Sequence, residues 1–266
     1  MIGKSAGGGA TTSANDTSLG IFVLSILALI ALWAALAAAK ADPSVLPGPW
    51  TVARVFADEV AAGRLPRDLL ATLVRVAVAF GLAMAAGSVL GVLLGRCPWL
   101  DRWADPWVTV FLNLPALVLI VLCYLWIGLN EVAAITAVTL NKTAMVLVTM
   151  RQGARALDPA LDELAQVARL PAGRRLRHIV VPQLAPFFIV AARNGIAVIW
   201  KIVLVVEFLG RSSGIGFRIH MYFQLFQIAH VIAYALAFVV VMLAVEHLLI
   251  RPWEMNAERW RRAAAN

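Results

Sequence analysis

The sequence predicts an all-α protein that crosses a membrane several times: six spanning helices, with one long polar segment between the fourth and the fifth. Three observations predict it. Apolar residues make up 62% of the 266 residues, where a soluble domain is nearer half. Only 14% are charged, too few to coat a water-soluble fold of this size. The apolar residues also gather into runs of about 20, the length a helix needs to cross the hydrocarbon of a bilayer. Mean hydropathy is +0.84, and with no linker dividing the chain, one compact domain is expected.

The elements follow in order. Residues 1–18, rich in Gly, Ala, Ser and Thr, read as a disordered tail. Residues 19–39 are uncharged and long enough for a first span. Ala37 and Ala39 also suit a signal-peptide cleavage site, although Lys4 is the only cation ahead of the run. Residues 40–66, punctuated by Pro43, Pro47, Pro49 and Pro66, read as an extramembrane loop with a short surface helix. The second span is expected at about 68–95. In it Ala83, Gly87, Gly91 and Gly95 recur every four residues, a spacing that lets helix backbones approach closely. These glycines mark a packed face and not a substrate site. The remaining spans are expected at about 105–128 (interrupted by Asn113 and Pro115), 131–150, 186–209 and 226–250, followed by a basic, aromatic tail at 251–266.

Formal net charge is +8. In a soluble chain this would raise nucleic-acid binding; here the cations sit in short loops and read as membrane topology. With the N-terminus inside, Lys4, Arg96, Arg102, Arg151, Arg155, Arg169, Arg174, Arg175, Arg177, Arg251, Arg259, Arg261 and Arg262 are cytoplasmic. Lys40, Arg54, Arg64, Arg67, Arg211 and Arg218 are then outside. The excess lies inside, as the positive-inside rule requires, so both termini are expected in the cytoplasm. Cys97 and Cys123 belong to different apolar regions with no metal-binding spacing, and no disulfide is expected.

Polar segment 151–185 is the most informative. Leu161, Leu164, Ala165, Ala168 and Leu176 fall roughly on one helical face. Asp162 and Glu163 stand toward the start of a helix and arginines toward its end, both favourable to the macrodipole. Pro182 and Pro186 are expected to end this element and begin the fifth span. Such a helix can dock in a groove of a soluble partner or lie on lipid headgroups.

The same segment resembles the EAA loop of binding-protein-dependent ABC importer permeases. That pattern reads E-A-A, three residues, Gly, nine residues, Ile, one residue, Leu-Pro. Glu163, Leu164 and Ala165 stand at its start, with Ile179 and Pro182 in register and Val181 in place of Leu. Arg169 occupies the Gly position; because Leu170, Pro171, Ala172 and Gly173 follow, the turn is expected to have moved a few residues. LPGPWTV at 46–52, LWIGLNEVAAI at 125–135 and EFLGRSSGIGFRI at 207–219 resemble segments of the nitrate, sulfonate, taurine and bicarbonate branch, in the same order. The resemblance implies a type I importer fold and a permease dimer, usually of identical chains. It also implies two cytoplasmic ATPase subunits and a periplasmic binding protein that delivers substrate. Its coupling helix would involve Glu163, Leu164, Ala165, Ala168, Arg169, Leu170, Pro171 and Gly173. The chain itself has no GxxxxGK[ST] phosphate loop, so ATP and Mg are expected on the partner ATPase, with no cofactor here. His178, His220, His230 and His247 are scattered and form no catalytic or HExxH pattern, and GIG at 214–216 is no dinucleotide fingerprint.

Several polar residues interrupt the apolar runs. Arg75 and Arg193 lie near helix ends and can snorkel; Glu207 can pair with Arg211 one turn on. Lys142 and Lys201 fall near mid-span, where a cation costs about 2.5–3.5 kcal/mol. With Asn113, Asn141 and Asn194 they are candidates for lining a translocation path that attracts an anion; the rival role is a buried structural charge network. Two other functions remain open, a secondary transporter and a membrane scaffold without transport. Recovery of an ATPase subunit on purification separates all three.

Overall fold

Glycines at four-residue spacing decide how the bundle is assembled. The computed structural model describes residues 11–245. Helix α3, Arg64–Arg96, lies parallel to α6, Glu131–Arg155. Gly87 faces Val146, Gly91 faces Met150 and the Leu147 carbonyl, and Gly95 faces Ala154. A Cβ on Gly91 would stand 2.5 Å from the Leu147 oxygen, closer than any side chain can approach. Ala83, fully buried, continues the same face. The expectation that these residues mark packing holds, and their contact is the spine of the fold.

Around that spine α9, Val181–Gly210, runs antiparallel, with Phe187 against Gly153 near one end and Glu207 against Arg75 near the other. Between them lies an apolar core of Val76, Ala79, Ala134, Val138, Val203 and Val206. Helix α11, Ile228–Val245, closes this core with Tyr234 and Phe238, the latter packed edge-on against Trp200 at 5.9 Å. Two short helices border one end: α2, Pro49–Ala61, and α10, Ile215–Gln224. Helix α1, Thr11–Lys40, stands beside the bundle with nearly every described side chain exposed, tied in by the Trp33 indole donating to the Pro47 carbonyl at 3.1 Å. Large exposed apolar side chains such as Leu70, Val74, Val89 and Leu93 cover the outside of α3. In water they would be a liability; facing lipid they are the ordinary surface.

Four helical runs are long and apolar enough to cross a membrane: 64–96, 131–155, 172–210 and 228–245. They carry the expected second, fourth, fifth and sixth spans. Three expectations change. The third run, 105–128, is two helices, α4 at Pro98–Asn113 and α5 at Ala116–Ile127, bent by 100°. The reason is Pro115, which cannot donate to the helix ladder and holds Leu114 extended at ψ 122°. The fifth helical run starts at Ala172, not at 186: α8, Ala172–Arg175, passes through a π-helical turn, Leu176–Val180, into α9. Pro182 directly follows the π-helical turn, and both it and Pro186 are carried inside the continuous run 172–210, each leaving one ladder position without a donor. Finally, α1 already begins at Thr11, ahead of the expected start at 19. Residues 1–10 and 246–266, including the end of the sixth span and the basic tail, lie outside the described residues.

Candidate functional site

Polar side chains concentrate at the two ends of the bundle, and the ends differ. Near Asn130, whose side chain caps α6 by accepting from the Ala133 N–H at 2.9 Å, a buried network joins α2, α3, α6, α9, α10 and α11. Arg75 is its centre. Its Nε and Nη2 donate to Glu131 at 2.8 and 2.6 Å, Nη1 to Glu207 at 2.6 Å, and Nη1 and Nη2 to the Ser213 carbonyl and hydroxyl at 2.8 and 2.7 Å. Every guanidinium N–H is used. Glu207, fully buried, also accepts from Thr72 Oγ1 and the Gly216 N–H, each at 2.9 Å. Asp68 accepts from Arg218 at 2.6 Å and from the Gly214 N–H at 3.0 Å.

The local sequence explains why the carboxylate fits. Gly214 has φ +105°, a conformation open to glycine, and a Cβ there would collide with the Glu207 carboxyl. A Cβ on Gly216 would meet the Leu204 carbonyl. The GIG element thus spreads its three backbone donors over α3 and α9: Gly214 N–H to Asp68, Ile215 N–H to Thr72 Oγ1 and Gly216 N–H to Glu207. Arg75 and Glu207 therefore differ from expectation. Arg75 does not snorkel but is buried and paired, and Glu207 pairs with Arg75 while Arg211 turns to Glu131 at 2.6 Å. The pairing is invisible to helical periodicity because the partners lie on different helices. Beside it, Glu59 accepts from Arg64 at 2.6 Å and from the Tyr234 hydroxyl at 2.8 Å. The Arg64 hydrogen bonds, helped by the tyrosines, hold the Glu59 carboxyl down at about 2. With its donors spent, this end is a clamp and offers no anion site at Arg75.

At the other end α6 passes into a hook. Helix α7, Pro159–Val167, begins under Asp158, whose carboxylate accepts from the Ala160 N–H at 2.8 Å. The Asp158 N–H donates to Gln183 on α9 at 2.9 Å, pinning the start of the hook to the bundle. The chain then reverses: Leu170 N–H donates to the Ala165 carbonyl at 3.0 Å and Arg169 takes φ +49°. The turn thus stays at Arg169, the Gly position of the EAA pattern, and has not moved to 170–173. An arginine there accepts left-handed backbone strain that Gly would avoid. Pro171 precedes α8, and Gly173 has open space about it.

The hook does not pack its apolar face inward. Of the expected face only Ala165 is buried; Leu161, Leu164 and Ala168 are exposed, as are Glu163, Arg169 and Val167, the last at 83%. Leu176 lies beyond the reversal and shares no face with α7. Asp158 and Gln183 were not among the sequence candidates; an Asp just before a Pro-initiated helix was the available signal.

The mid-span candidates separate. Lys142 on α6 is buried at 6% exposure and has neither an ion pair nor a hydrogen bond among the described residues. The Thr139 hydroxyl, one turn away, is likewise buried and unpartnered. Lys201 and Asn194 stand exposed on α9, seven residues apart on one side, and Asn141 is half-buried. Asn113 is exposed at the end of α4, where its amide donates to the Thr109 carbonyl at 2.8 Å. Both cysteines are free thiols, Cys97 exposed and Cys123 buried.

Known proteins carry the same architecture. An aliphatic sulfonates transport permease protein of Bacillus subtilis is 27% identical over 88% of this chain and 84% of its own length. An ABC transporter permease protein of Brucella melitensis is 31% identical over 77% of this chain and 83% of its own. Among solved structures, an inward-facing methionine ABC transporter, MetNI, matches with a TM-score of 0.60 at 18% identity, over 77% of this chain and 98% of that one. An amino acid ABC transporter solved with histidines matches with a TM-score of 0.58 at 21% identity, over 73% and 95%. These two show the fold. Residues 83–250 match the family described as the binding-protein-dependent transport system inner membrane component. This multi-pass chain belongs to that ABC transporter permease family, in the branch whose named relatives serve sulfonates, taurine and nitrate.

Proposed function

We propose that the chain forms the translocation path of an ATP-driven importer for a small anionic solute. Nitrate, a sulfonate, taurine or a similar organic anion, handed over by a periplasmic binding protein, fits this reading. Two permease chains, most simply identical, face each other across the path, and two cytoplasmic ATPase subunits sit beneath them. Both chain termini and the hook are cytoplasmic; the Glu207 clamp is at the outer end.

The observation that carries this reading is the hook. It combines an EAA register with apolar side chains, Leu164 and Val167, turned away from their own bundle. A short helix with such a face is suited to a groove on a soluble partner. The ATPase pair must hold the two permease states with different affinity for ATP to drive the switch. Glu163, Leu164, Ala165, Ala168, Arg169, Leu170, Pro171 and Gly173 form the contact or shape it. Lys201 and Asn194, exposed where a charge facing lipid would be costly, line the path with Asn141. Lys142, enclosed within the protomer, adds positive potential from behind, and Asn113 is the outlying member of this set. This chain holds no nucleotide or metal in the scheme; ATP and Mg belong to the ATPase.

Copurification is the direct test. The affinity-tagged chain brings down an ATPase subunit, and Glu163→Arg with Leu164→Asp abolishes this and uptake while leaving the permease folded. Retained ATPase attachment and uptake in that double variant would sink the proposal.

A further inference from the structure

Helix α4 carries a tryptophan stripe that the transport reading does not use. Trp99, Trp103 and Trp107 recur every four residues, so they share one face, and each is about 70% exposed, at 72%, 69% and 69%. None of their indole N–H groups has a hydrogen-bond acceptor among the described residues. Arg102, beside them, is exposed and also unpartnered. On another side of the helix, Asp101 and Asp105 are paired with Arg151 at 2.9 and 2.7 Å, and Asp101 also with Arg155. The acids are thus neutralised against α6, and the outward side presents indoles and a cation.

Depth and orientation follow from the same contacts. Glu131 and Arg151 are separated along α6 by about 30 Å at 1.5 Å per residue, the thickness of a bilayer's hydrocarbon. If the Glu131 clamp marks one boundary, the Arg151 cluster marks the other, and Asp101 and Asp105 fix α4 there. The 100° bend means α4 and α5 cannot both follow the membrane normal. Helix α5 is the one embedded in the core, through Ile120, Cys123 and Tyr124. Helix α4 therefore lies across it. Exposed Val110, Phe111 and Leu112 at its far end point to a helix that dips toward the acyl chains. Trp126, 75% exposed at the end of α5 nearest the clamp, supplies an indole at the opposite boundary.

We infer that α4 is an interfacial helix seated in the headgroup–acyl boundary of the leaflet on the hook side, with Trp99, Trp103 and Trp107 as its anchors and Arg102 on a lipid phosphate. Indoles favour this level because the ring is apolar and the N–H finds phosphate or ester oxygens. A stripe covered by protein would need acceptors for three indole N–H groups and a counter-charge for Arg102. A bilayer containing anionic lipid supplies both.

The test uses the full-length chain in vesicles of phosphatidylcholine and phosphatidylglycerol whose acyl chains are brominated either near the headgroup or near the methyl end. Tryptophan emission is quenched more by the shallow bromines. Trp99→Phe, Trp103→Phe and Trp107→Phe together remove three of the nine tryptophans and clearly lower the shallow-quenched emission, leaving the share of Trp126 at the opposite boundary. A spin label on Trp103→Cys, in a background lacking Cys97 and Cys123, reports depth independently: it is more accessible to oxygen than to a water-soluble nickel chelate. Shallow quenching unchanged by the triple substitution would overturn the inference. So would a label at 103 more accessible to the nickel chelate, or one screened from both reagents by a second copy or another subunit.

Discussion

The clamp and the hook are built from the same kinds of residue to opposite ends. At the clamp, Arg75, Asp68, Thr72 and Glu207 are buried and hydrogen-bonded, and the glycines that approach them tolerate no side chain. At the hook, Ala165 is the one buried residue among the described side chains of α7, and the start of the helix is pinned to the bundle by the Asp158 N–H donating to Gln183. A buried ion network is costly to assemble and costlier to break, because a lost partner strands a charge. An exposed apolar helix costs little until something covers it. The clamp therefore sets where α3, α6 and α9 sit relative to one another, whereas the hook leaves its apolar side chains uncovered.

The largest effect should come from breaking the clamp. Arg75→Met leaves Glu207 buried with its counter-charge gone, a loss of about 3–5 kcal/mol. The expected outcome is little folded protein, or a sharp drop in the thermal midpoint of the detergent-solubilised chain. Arg75→Met combined with Glu207→Leu removes both charges and recovers part of that loss. If the double variant is as unstable as the sum of the singles, the pair is not what holds this end. Close behind comes Gly91→Leu, which forces α3 and α6 apart where a Cβ would meet the Leu147 oxygen. Overpacking of this kind costs about 1–3 kcal/mol, and here the obstacle is backbone, so the upper figure is expected by the same thermal measurement.

At the hook the pattern reverses. Val167→Asp or Leu164→Asp changes an exposed position and moves the thermal midpoint of the isolated permease by less than about 0.5 kcal/mol in equivalent stability. On the proposed function it nonetheless lowers ATPase recovery and uptake many-fold. Equal loss of stability and of partner binding would erase the distinction between the two ends. The lysines sharpen it from inside the bundle. Lys201→Met should cut anion uptake without loss of assembly, whereas Lys142→Met removes a buried unpaired cation and should raise the thermal midpoint.

Legibility in the sequence followed the range of each interaction. The glycine ladder was readable because a helix face repeats every four residues, and its partner needs only to be another helix. The short helix of the hook was legible because its residues are contiguous, although Leu176 falls outside its face. The bend at Pro115 was half readable: proline breaks the ladder, but the hydropathy of 105–128 does not tell that the pieces diverge by 100°. Arg75 is paired and not snorkelling because its partners, Glu131, Ser213 and Glu207, lie far along the chain on other elements, beyond the reach of helical periodicity. The turn falls at Arg169 and not a few residues on, because the reversal is set by the end of α7 and not by the Leu170–Gly173 stretch that resembles a turn. Gly173 lies inside α8, while Arg169 bears the positive φ.

The smallest effect expected is one of pH, and it tests the clamp at its solvent-facing edge. Glu59 on α2 is held at about 2, below the ordinary 4.5, first by the hydrogen bonds from Arg64 and then by Tyr234 and Tyr222. A carboxyl whose value is lowered on folding gives stability that is complete above its unfolded value and is lost as pH falls through the folded one. Attachment of α2 to α10 and α11 should thus be constant above pH 4.5 and weaken between 4.5 and about 2. Because Arg64 is half exposed, solvent screens much of this pair and the change is modest. Hydrogen exchange across 49–61 measured down that range should show protection falling in the native chain and already reduced, with a flatter pH response, in Glu59→Gln. An identical pH response in the two would mean that Arg64 and the tyrosines hold α2 without the carboxylate.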